Sequence, residues 1–439
     1  MRAMLGTRRQ RRGGVAFLLL SFMVAATGFR SLTGCSDPYV GEEGLTVEDA
    51  APKKDSGGTP VGDALPADDA GCGEPVCMTE LALGGGFGCA LGDDSAVRCW
   101  GDNDKGQTGA PDPTTPTQKP RVVGGLGPVK QITTGTRHAC ALQVDGRVFC
   151  WGDDEHGLVS GTPSLLAHPV PVEIPGLLLA VEQLVAVSDH QCALLMGGDL
   201  FCWGNNEYGQ LGAANVDGGD PVKSIPRPTR ALDNVVQVGG AEETTCALRK
   251  SGEVSCFGRN FSGQLGNGTS DTNPHPAAVS VSGLISPVAQ LTSSTGFHVG
   301  VTLVDGRVQA WGSNAKNAIV PTAGVFQLAA ATQVQGVSGV AEIAAGGYFT
   351  CARAKSGKVS CWGDDSGGQI GFLSDGGPNT DPPKEIAGTE GAQHVAAGRA
   401  AFACILASGK VLCWGANDKG QLGRDAVGGS FPAPAKLSL

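Results

Sequence analysis

The sequence is poor in several features on which common functions depend. Aromatic residues make up only 5% of the 439 residues, and three of them are tyrosines. There is no GxSxG, HExxH or phosphate-loop text and no carboxylate pair in a glycosidase context, so the sequence indicates no catalytic chemistry. The apolar run from Val15 to Phe29 is about fifteen residues long, too short to span a bilayer comfortably. We therefore expect neither an enzyme nor a bound cofactor.

The sequence does contain a regular repeat. An aromatic residue followed by glycine recurs seven times at intervals of 51 to 54 residues: Trp100, Trp151, Trp203, Phe257, Trp311, Trp362 and Trp414. A fixed period near fifty residues indicates a copied supersecondary unit that buries its apolar face only by stacking on its neighbours. All six tryptophans of the protein occupy this position, so we expect them in the core.

Each unit contains two strand-like runs around a glycine-bearing turn, as in CALQVDGRVFCW from Cys140 to Trp151. With Gly146 ending a three-residue loop, a type I turn followed by a left-handed glycine sets Cys140 opposite Cys150. The fifth unit has Gly300 and Ala310 at these positions, and such joint loss is what a disulfide predicts. Metal ligation is the alternative, but two cysteines per unit do not complete a four-ligand shell.

The fifteen cysteines divide into six hairpin pairs, one pair ahead of the first unit, and one residue left over. In the last hairpin a two-residue turn, Ser408-Gly409, absorbs the loss of one residue. Disulfides at this density require an oxidising compartment. The predicted pairs are Cys72–Cys77, Cys89–Cys99, Cys140–Cys150, Cys192–Cys202, Cys246–Cys256, Cys351–Cys361 and Cys404–Cys413.

The unpaired cysteine lies near the N-terminus. Residues 1–14 carry five arginines and no acid and precede the apolar run, which predicts a signal peptide over residues 1–34. The text Leu32-Thr33-Gly34-Cys35 resembles the lipobox of bacterial lipoproteins, which implies that Cys35 is lipidated and becomes the mature N-terminus. Ser36 after the cysteine favours the outer membrane or cell surface of a bacterial envelope. A signal peptide cleaved elsewhere, leaving Cys35 free, is the alternative.

The segment after the signal peptide has a different composition from the repeat. Residues 35–78 are rich in Gly, Pro, Ala and acidic residues and contain few large apolar side chains. Such a segment buries too little apolar surface to offset the entropy of ordering. We predict a disordered tether between the lipid anchor and the folded domain.

Short alternating runs separated by Gly, Asn, Asp and Pro favour an all-β structure, since helical periodicity is scarce after Leu81. Seven units of this length predict a seven-bladed β-propeller over residues 79–439, because radial closure removes exposed sheet edges. An open β-solenoid and seven separate hairpin modules are the alternatives. Proline-containing stretches precede the later units and a spare one, Phe431 to Leu439, ends the chain. We therefore predict that the C-terminal strand completes blade 1.

The succession of CAL, DG or SG, CWG and GQLG resembles the repeat of the regulator of chromosome condensation family. GQLG is intact at residues 209–212, 263–266 and 420–423. The resemblance covers residues 79–439 and implies a seven-bladed propeller. Eukaryotic members of that family bind chromatin and exchange nucleotide on the GTPase Ran, and an exported, disulfide-rich chain has neither partner available. Removing residues 1–34 leaves 26 basic and 42 acidic residues, a net charge of −16 that disfavours nucleic acid.

Two sets of repeated positions are candidate sites. His138, His190 and His298 lie two residues before the first hairpin cysteine, where other units have phenylalanine, so we interpret them as packing residues and predict no metal site. The two residues before each GQ vary from unit to unit, which is typical of recognition loops on a fixed frame. Tyr208 and Phe261 are the aromatic residues among them, and we predict that they anchor a partner. Sequence drift at solvent-exposed loop tips is the alternative.

These observations predict a monomeric cell-surface lipoprotein whose propeller binds a protein or another envelope component. Nucleic acid, metal and cofactor binding are not expected. A secreted or surface-held inhibitor is one alternative, since the repeat also resembles that of a bacterial propeller that inhibits β-lactamases. A lyase or glycosidase built on a propeller is the other.

Overall fold

The computed structural model describes residues 72–438 apart from 114, 178–180, 213–221, 229–231, 233, 373–380 and 425–426. The predicted signal peptide, Cys35 and the predicted tether as far as residue 71 lie outside the described residues. The described chain forms seven four-stranded antiparallel sheets and one short 3-10 helix, Ala315–Asn317. The predictions of an all-β fold and a seven-bladed propeller are therefore confirmed. No helix in this part of the chain is long and apolar enough to cross a membrane.

The strands follow one another in chain order, four to a blade. Blade 1 comprises β1 (Met78–Leu83), β2 (Phe87–Gly92), β3 (Val97–Gly101) and β4 (Thr117–Val122). Blade 2 comprises β5 (Val129–Thr134), β6 (His138–Gln143), β7 (Val148–Asp154) and β8 (Ser164–Glu173). Blade 3 comprises β9 (Val181–Val187), β10 (His190–Leu195), β11 (Leu200–Asn205) and β12 (Val222–Pro228).

The remaining blades repeat this order. Blade 4 comprises β13 (Val235–Ala241), β14 (Thr244–Arg249), β15 (Val254–Gly258) and β16 (His275–Ser280). Blade 5 comprises β17 (Val288–Leu291), β18 (His298–Leu303), β19 (Val308–Ser313) and β20 (Gln327–Gln333). Blade 6 comprises β21 (Val340–Ala345), β22 (Phe349–Ala354), β23 (Val359–Gly363) and β24 (Lys384–Glu385). Blade 7 comprises β25 (His394–Gly398), β26 (Phe402–Ala407), β27 (Lys410–Ala416) and β28 (Ser430–Lys436).

The prediction that the C-terminal strand completes blade 1 is wrong. Strand β28 pairs with β27 of its own blade, and β1 supplies the innermost strand of blade 1. The proline-containing stretches follow their hairpins as the fourth, outermost strand of the same blade rather than preceding the next unit. Proline cannot donate a ladder hydrogen bond, and an edge strand is where a sheet tolerates that loss. The ring therefore closes by packing of blade 7 on blade 1, without strand exchange.

The predicted hairpin register accounts for the disulfides. In each of the six cysteine-bearing blades the two cysteines are direct partners across the second and third strands, as in Cys140↔Cys150, with Cα atoms 4.1 Å apart. Seven disulfides join the predicted pairs, including Cys72–Cys77. In blade 5, Gly300 and Ala310 are partners in the same register.

Buried tryptophans connect six of the seven blades to the preceding one. The Trp100 side chain is fully buried, and its indole Nε1 donates a hydrogen bond of 2.9 Å to the carbonyl oxygen of Gln421 in blade 7. The other five tryptophans bond the preceding blade in the same way. A buried indole combines a large apolar surface with one satisfied donor, so these contacts stabilise the seams between blades.

The two faces of the ring differ. The loop face carries the connections from the first to the second strand and from the third to the fourth strand of each blade, and the turn face carries the hairpin turns between the second and third strands. The Cys72–Cys77 loop packs on the turn face, where the Met78 amide donates to the Gly409 carbonyl at 2.8 Å. Glu74 in this loop forms an ion pair of 2.5 Å with Lys436.

Candidate functional site

The variable tips on the loop face rest on a rigid frame built by repeated residues. In blade 4 the Asn260 side chain accepts a hydrogen bond from the Leu265 amide at 3.2 Å, and the Gln264 side chain accepts one from the Ser262 amide at 2.7 Å. Gly263 has a φ of +78°, and a Cβ there would lie 2.5 Å from the Ala329 Cα. The repeated Asn, Gly and Gln thus fix the loop while its tip residues are free to vary.

The structure brings the two predicted anchors into contact. The ring centroids of Tyr208 and Phe261 lie 5.7 Å apart with an edge-to-face angle of 74°. The guanidinium of Arg259 covers both rings, 4.2 Å from the Phe261 centroid and 5.3 Å from that of Tyr208. Phe261 keeps 37% of its surface exposed. The three side chains form one cation–π cluster that spans blades 3 and 4.

Sequence reasoning missed the acidic residues that hold this cluster. Arg259 donates to Glu242 at 2.6 Å and to Glu243 at 2.8 Å. Burial and the neighbouring Glu243 raise the pKa of Glu242, although Arg259 opposes that shift. Because Arg259 follows the Phe257-Gly258 pair, where other units have Asp, Asn, Ser or Ala, its divergence from the repeat was the available signal.

A second aromatic cluster lies on the same face and was also missed. The rings of Phe297 in blade 5 and Tyr348 in blade 6 are stacked, with centroids 4.7 Å apart and planes inclined by 22°. Arg399 of blade 7 lies over the Phe297 ring at 4.4 Å and donates to the Thr295 carbonyl at 3.3 Å. All of these residues come from connections between first and second strands, which surround the propeller axis.

The three repeated histidines lie in separate seams. His190 Nε2 is 2.6 Å from the Thr245 hydroxyl of the next blade, and His298 Nε2 is 2.7 Å from that of Thr350. Burial lowers the pKa of His190 to about 3 and that of His298 to about 4, so both rings are neutral at physiological pH. No group of three metal-binding side chains occurs among the residues that the structure describes.

An inner ring of polar side chains also joins neighbouring blades. Gln131 exchanges two hydrogen bonds with the Leu184 backbone of blade 3, and Gln237 does the same with Leu291 of blade 5. The equivalent residues in blades 6, 7 and 1 are ionisable: Glu342, His394 and Glu80.

The ionisable part of this ring shows opposed pKa shifts. Burial raises the pKa of Glu80 to about 7, although the Ile132 amide bonds its carboxyl at 3.0 Å and His394 is nearby. Burial also opposes the charge on Glu342, but contact with His394 and Arg353 outweighs it and holds the Glu342 pKa below its usual range.

Two small cavities accompany these clusters. One, of about 30 Å³, is lined by Arg137, His138, Asp153, Glu155, His156, Leu158 and Asp189 on the loop face. The other, of about 10 Å³, lies beside Glu74, Met78 and Gly409. Each has room for only one or a few water molecules, far below the size of a small-molecule site.

The sequence matches two family models, both described as the regulator of chromosome condensation (RCC1) repeat. One model matches six segments, 79–107, 129–158, 181–210, 235–264, 340–369 and 392–421. The other matches residues 94–142 and 197–248. Together the matched segments cover about half of the chain and include part of every blade except the fifth. The fifth blade also lacks the hairpin disulfide and an intact GQLG sequence, and its Gln290 Oε1 atom has no hydrogen-bond partner among the described residues.

The chain is similar to several curated proteins and solved structures. It is 30% identical over 339 residues to human E3 ubiquitin-protein ligase HERC2, covering 74% of this chain but 7% of that protein. It is 26% identical to Protein pim1 of Schizosaccharomyces pombe, covering 68% of this chain and 61% of pim1. The chain thus spans less than two thirds of the length of either relative.

Two solved structures share the fold. Prp20p from Saccharomyces cerevisiae superposes with a TM-score of 0.63 at 22% identity, covering 73% of this chain and 80% of that one. Human WBSCR16 superposes with a TM-score of 0.63 at 20% identity, covering 73% and 85%. With the seven-bladed architecture and the repeat matches in six blades, the chain belongs to the regulator of chromosome condensation (RCC1) repeat family.

Proposed function

We propose that this protein is a lipid-anchored binding propeller of a bacterial cell envelope, and that it holds a protein partner on the loop face through Tyr208 and Phe261. The observation that carries the proposal is the cluster of these two rings under Arg259, exposed at the tips of two adjacent blades. Rigid, partly exposed aromatic residues lose little conformational entropy on binding, which makes them effective anchors.

The relatives support a binding role in general terms. Prp20p has been examined for binding to Gsp1p and histones. Those partners belong to that protein, and we do not carry them over to an exported chain with a mature net charge of −16. For the same reason we do not propose guanine-nucleotide exchange, and the ligase activity of HERC2 belongs to a protein of which this chain matches 7%.

The test begins with capture of envelope proteins on the immobilised full-length mature chain, followed by titration of the purified partner. We expect Tyr208→Ala and Phe261→Ala each to weaken binding by about 2 kcal/mol, which is about 30-fold. The matched control is Met196→Ala, because Met196 is 71% exposed on a hairpin turn of the opposite face. Folded aromatic variants that bind like the wild type would show that the surface is wrongly assigned.

A further inference from the structure

The cations on the loop face differ in whether a carboxylate of the protein neutralises their charge. Four of them have carboxylate partners: Lys105 with Asp153 at 3.2 Å, Arg137 with Asp153 at 2.9 Å, Arg259 with Glu242 at 2.6 Å and Lys419 with Asp102 at 3.8 Å. Arg399 forms no ion pair with any residue that the structure describes. It is a half-buried guanidinium whose only hydrogen-bond acceptor there is the Thr295 carbonyl.

Glu242, the carboxylate that interacts electrostatically with Arg399, already accepts hydrogen bonds from other side chains. Arg399 acts to lower the pKa of Glu242, so the two groups are close enough to interact. The Glu242 Oε1 atom accepts from Arg259 at 2.6 Å and its Oε2 atom accepts from Gln264 at 3.1 Å. Both Glu242 oxygens thus accept hydrogen bonds from other residues, and no hydrogen bond or ion pair joins Glu242 to Arg399 among the described residues. The donors of the Arg399 guanidinium that do not reach the Thr295 carbonyl are therefore available to a ligand.

The surroundings of Arg399 define what such a ligand must carry. Its guanidinium lies on the Phe297 ring, which stacks on Tyr348, and Tyr348 is 40% exposed. A guanidinium fixed on an aromatic ring keeps a planar set of donors that matches the two oxygens of a carboxylate. The neighbouring rings offer apolar contact to a group attached beside that carboxylate. The hydroxyl of Thr295 is also buried without a hydrogen-bond partner among the described residues.

We infer that Arg399, Phe297 and Tyr348 form a carboxylate-binding site at the propeller axis, which accepts an acidic side chain or a C-terminal carboxylate next to an apolar group of the partner. This inference rests on the proposed function, because it adds a second contact region on the loop face. It also specifies a negative charge on the partner. The Tyr208–Phe261 cluster does not require such a charge, because its Arg259 is already neutralised by Glu242 and Glu243.

A matched pair of small probes tests the site without any partner protein. N-acetyl-phenylalanine carries a ring and a carboxylate, and N-acetyl-phenylalanine amide differs only in lacking the negative charge. Titration of the full chain, followed through the Nε–Hε signals of labelled arginine, should show saturable binding of the acid at Arg399. The amide should bind at least about 10-fold more weakly, as expected when a charge-assisted hydrogen-bond pair is lost.

Variants locate the effect. Arg399→Gln should weaken binding of the acid by at least about 10-fold, and Phe297→Leu should weaken it by about 3-fold. Arg147→Gln is the control, because Arg147 also lies over a phenylalanine, Phe149 at 5.3 Å, but is already paired with Asp145 at 2.8 Å. Equal binding of acid and amide by the wild-type chain, or unchanged binding by folded Arg399→Gln, would overturn the inference. Neither result depends on the assignment of Tyr208 and Phe261.

Discussion

The hydroxyl of Thr245 donates a hydrogen bond of 2.7 Å to the carbonyl oxygen of Gln210 in the preceding blade. In the other six blades a tryptophan indole bonds a carbonyl of the preceding blade, and blade 4 has Phe257 in place of tryptophan. Blade 6 has both kinds of donor, because the Thr350 hydroxyl donates to the Ala318 carbonyl at 2.6 Å beside the Trp362 bond. Thr245 is the direct cross-strand partner of Phe257, so the missing donor is supplied from the adjacent strand. Blade 4 thus keeps a hydrogen bond across its seam although it lacks the tryptophan.

The Thr245 bond should be measurable as stability. We expect Thr245→Val to lower the free energy of unfolding by about 1–3 kcal/mol, because the buried Gln210 carbonyl and the His190 ring both lose a partner. Thr332→Val, which removes a hydroxyl from a half-buried position on an outer strand, should cost much less. Denaturant unfolding of the two variants checks this, and equal losses would contradict it.

Glu80 should make stability depend on pH. Its pKa is raised by burial to about 7 in the folded protein, so its favourable contribution is complete below the unfolded pKa near 4.5 and is lost as the pH rises through 7. Glu80→Gln, which installs the residue found at this position in blades 2 to 5, should therefore stabilise the protein more at pH 8 than at pH 5. The gain at pH 8 is expected to reach as much as about 3 kcal/mol.

The control for Glu80 is Glu182→Gln, at an exposed position of the inner strand of blade 3. The relevant quantity is the difference between variant and wild type at each pH, because Glu342 and His394 titrate in both proteins. Thermal unfolding at pH 5 and pH 8 gives this difference. A Glu80→Gln effect that does not change with pH would show that Glu80 is ionised throughout the range.

Blade 5 should accept the disulfide that it lacks. Gly300 and Ala310 are direct partners, so Gly300→Cys combined with Ala310→Cys should form a crosslink that non-reducing peptide mapping detects. A Cβ at Gly300 would lie 2.9 Å from the Ile343 Cδ1 atom, so that side chain must rotate. We expect Gly300→Cys alone to be destabilised by about 1 kcal/mol and Ile343→Val to relieve the cost. Free thiols in the oxidised double variant would refute the register.

The seam between blades 5 and 6 should open more readily than the other seams. Blade 5 has no disulfide, and the buried Gln290 Oε1 atom has no partner among the described residues, whereas Gln237 in blade 4 bonds the next blade twice. Amides of β17 to β19 should therefore exchange with solvent at least about 10-fold faster than those of β13 to β15. Hydrogen-exchange mass spectrometry checks this, and equal protection of the two blades would contradict it.

Cys35 should carry the lipid. Metabolic labelling with a palmitate analogue should mark the wild-type chain and leave Cys35→Ala unlabelled, because a lipobox cysteine is the acceptor of the acyl groups. A control that keeps the export signal is Ser36→Ala, which should be labelled like the wild type. Equal labelling of the wild type and Cys35→Ala would favour the alternative of a signal peptide cleaved elsewhere.

Features set within one repeat could be predicted from the sequence. The hairpin turn ending at Gly146 determines the pairing of Cys140 with Cys150, and the fixed spacing of the tips determines that Tyr208 and Phe261 occupy equivalent loops. Relationships between blades could not be predicted, since Phe297, Tyr348 and Arg399 come from three successive blades and meet only when these pack around the propeller axis. The proline-containing strands were assigned to the wrong unit because periodicity alone does not indicate where a repeat begins.

The packing of the Cys72–Cys77 loop against Gly409 places the start of the described chain on the turn face. That loop lies on the turn face, with Glu74 paired to Lys436, whereas Tyr208, Phe261 and Arg399 lie on the loop face. The described chain therefore begins on one face and carries the proposed binding residues on the other, so a partner on the loop face would leave the Cys72–Cys77 loop uncovered.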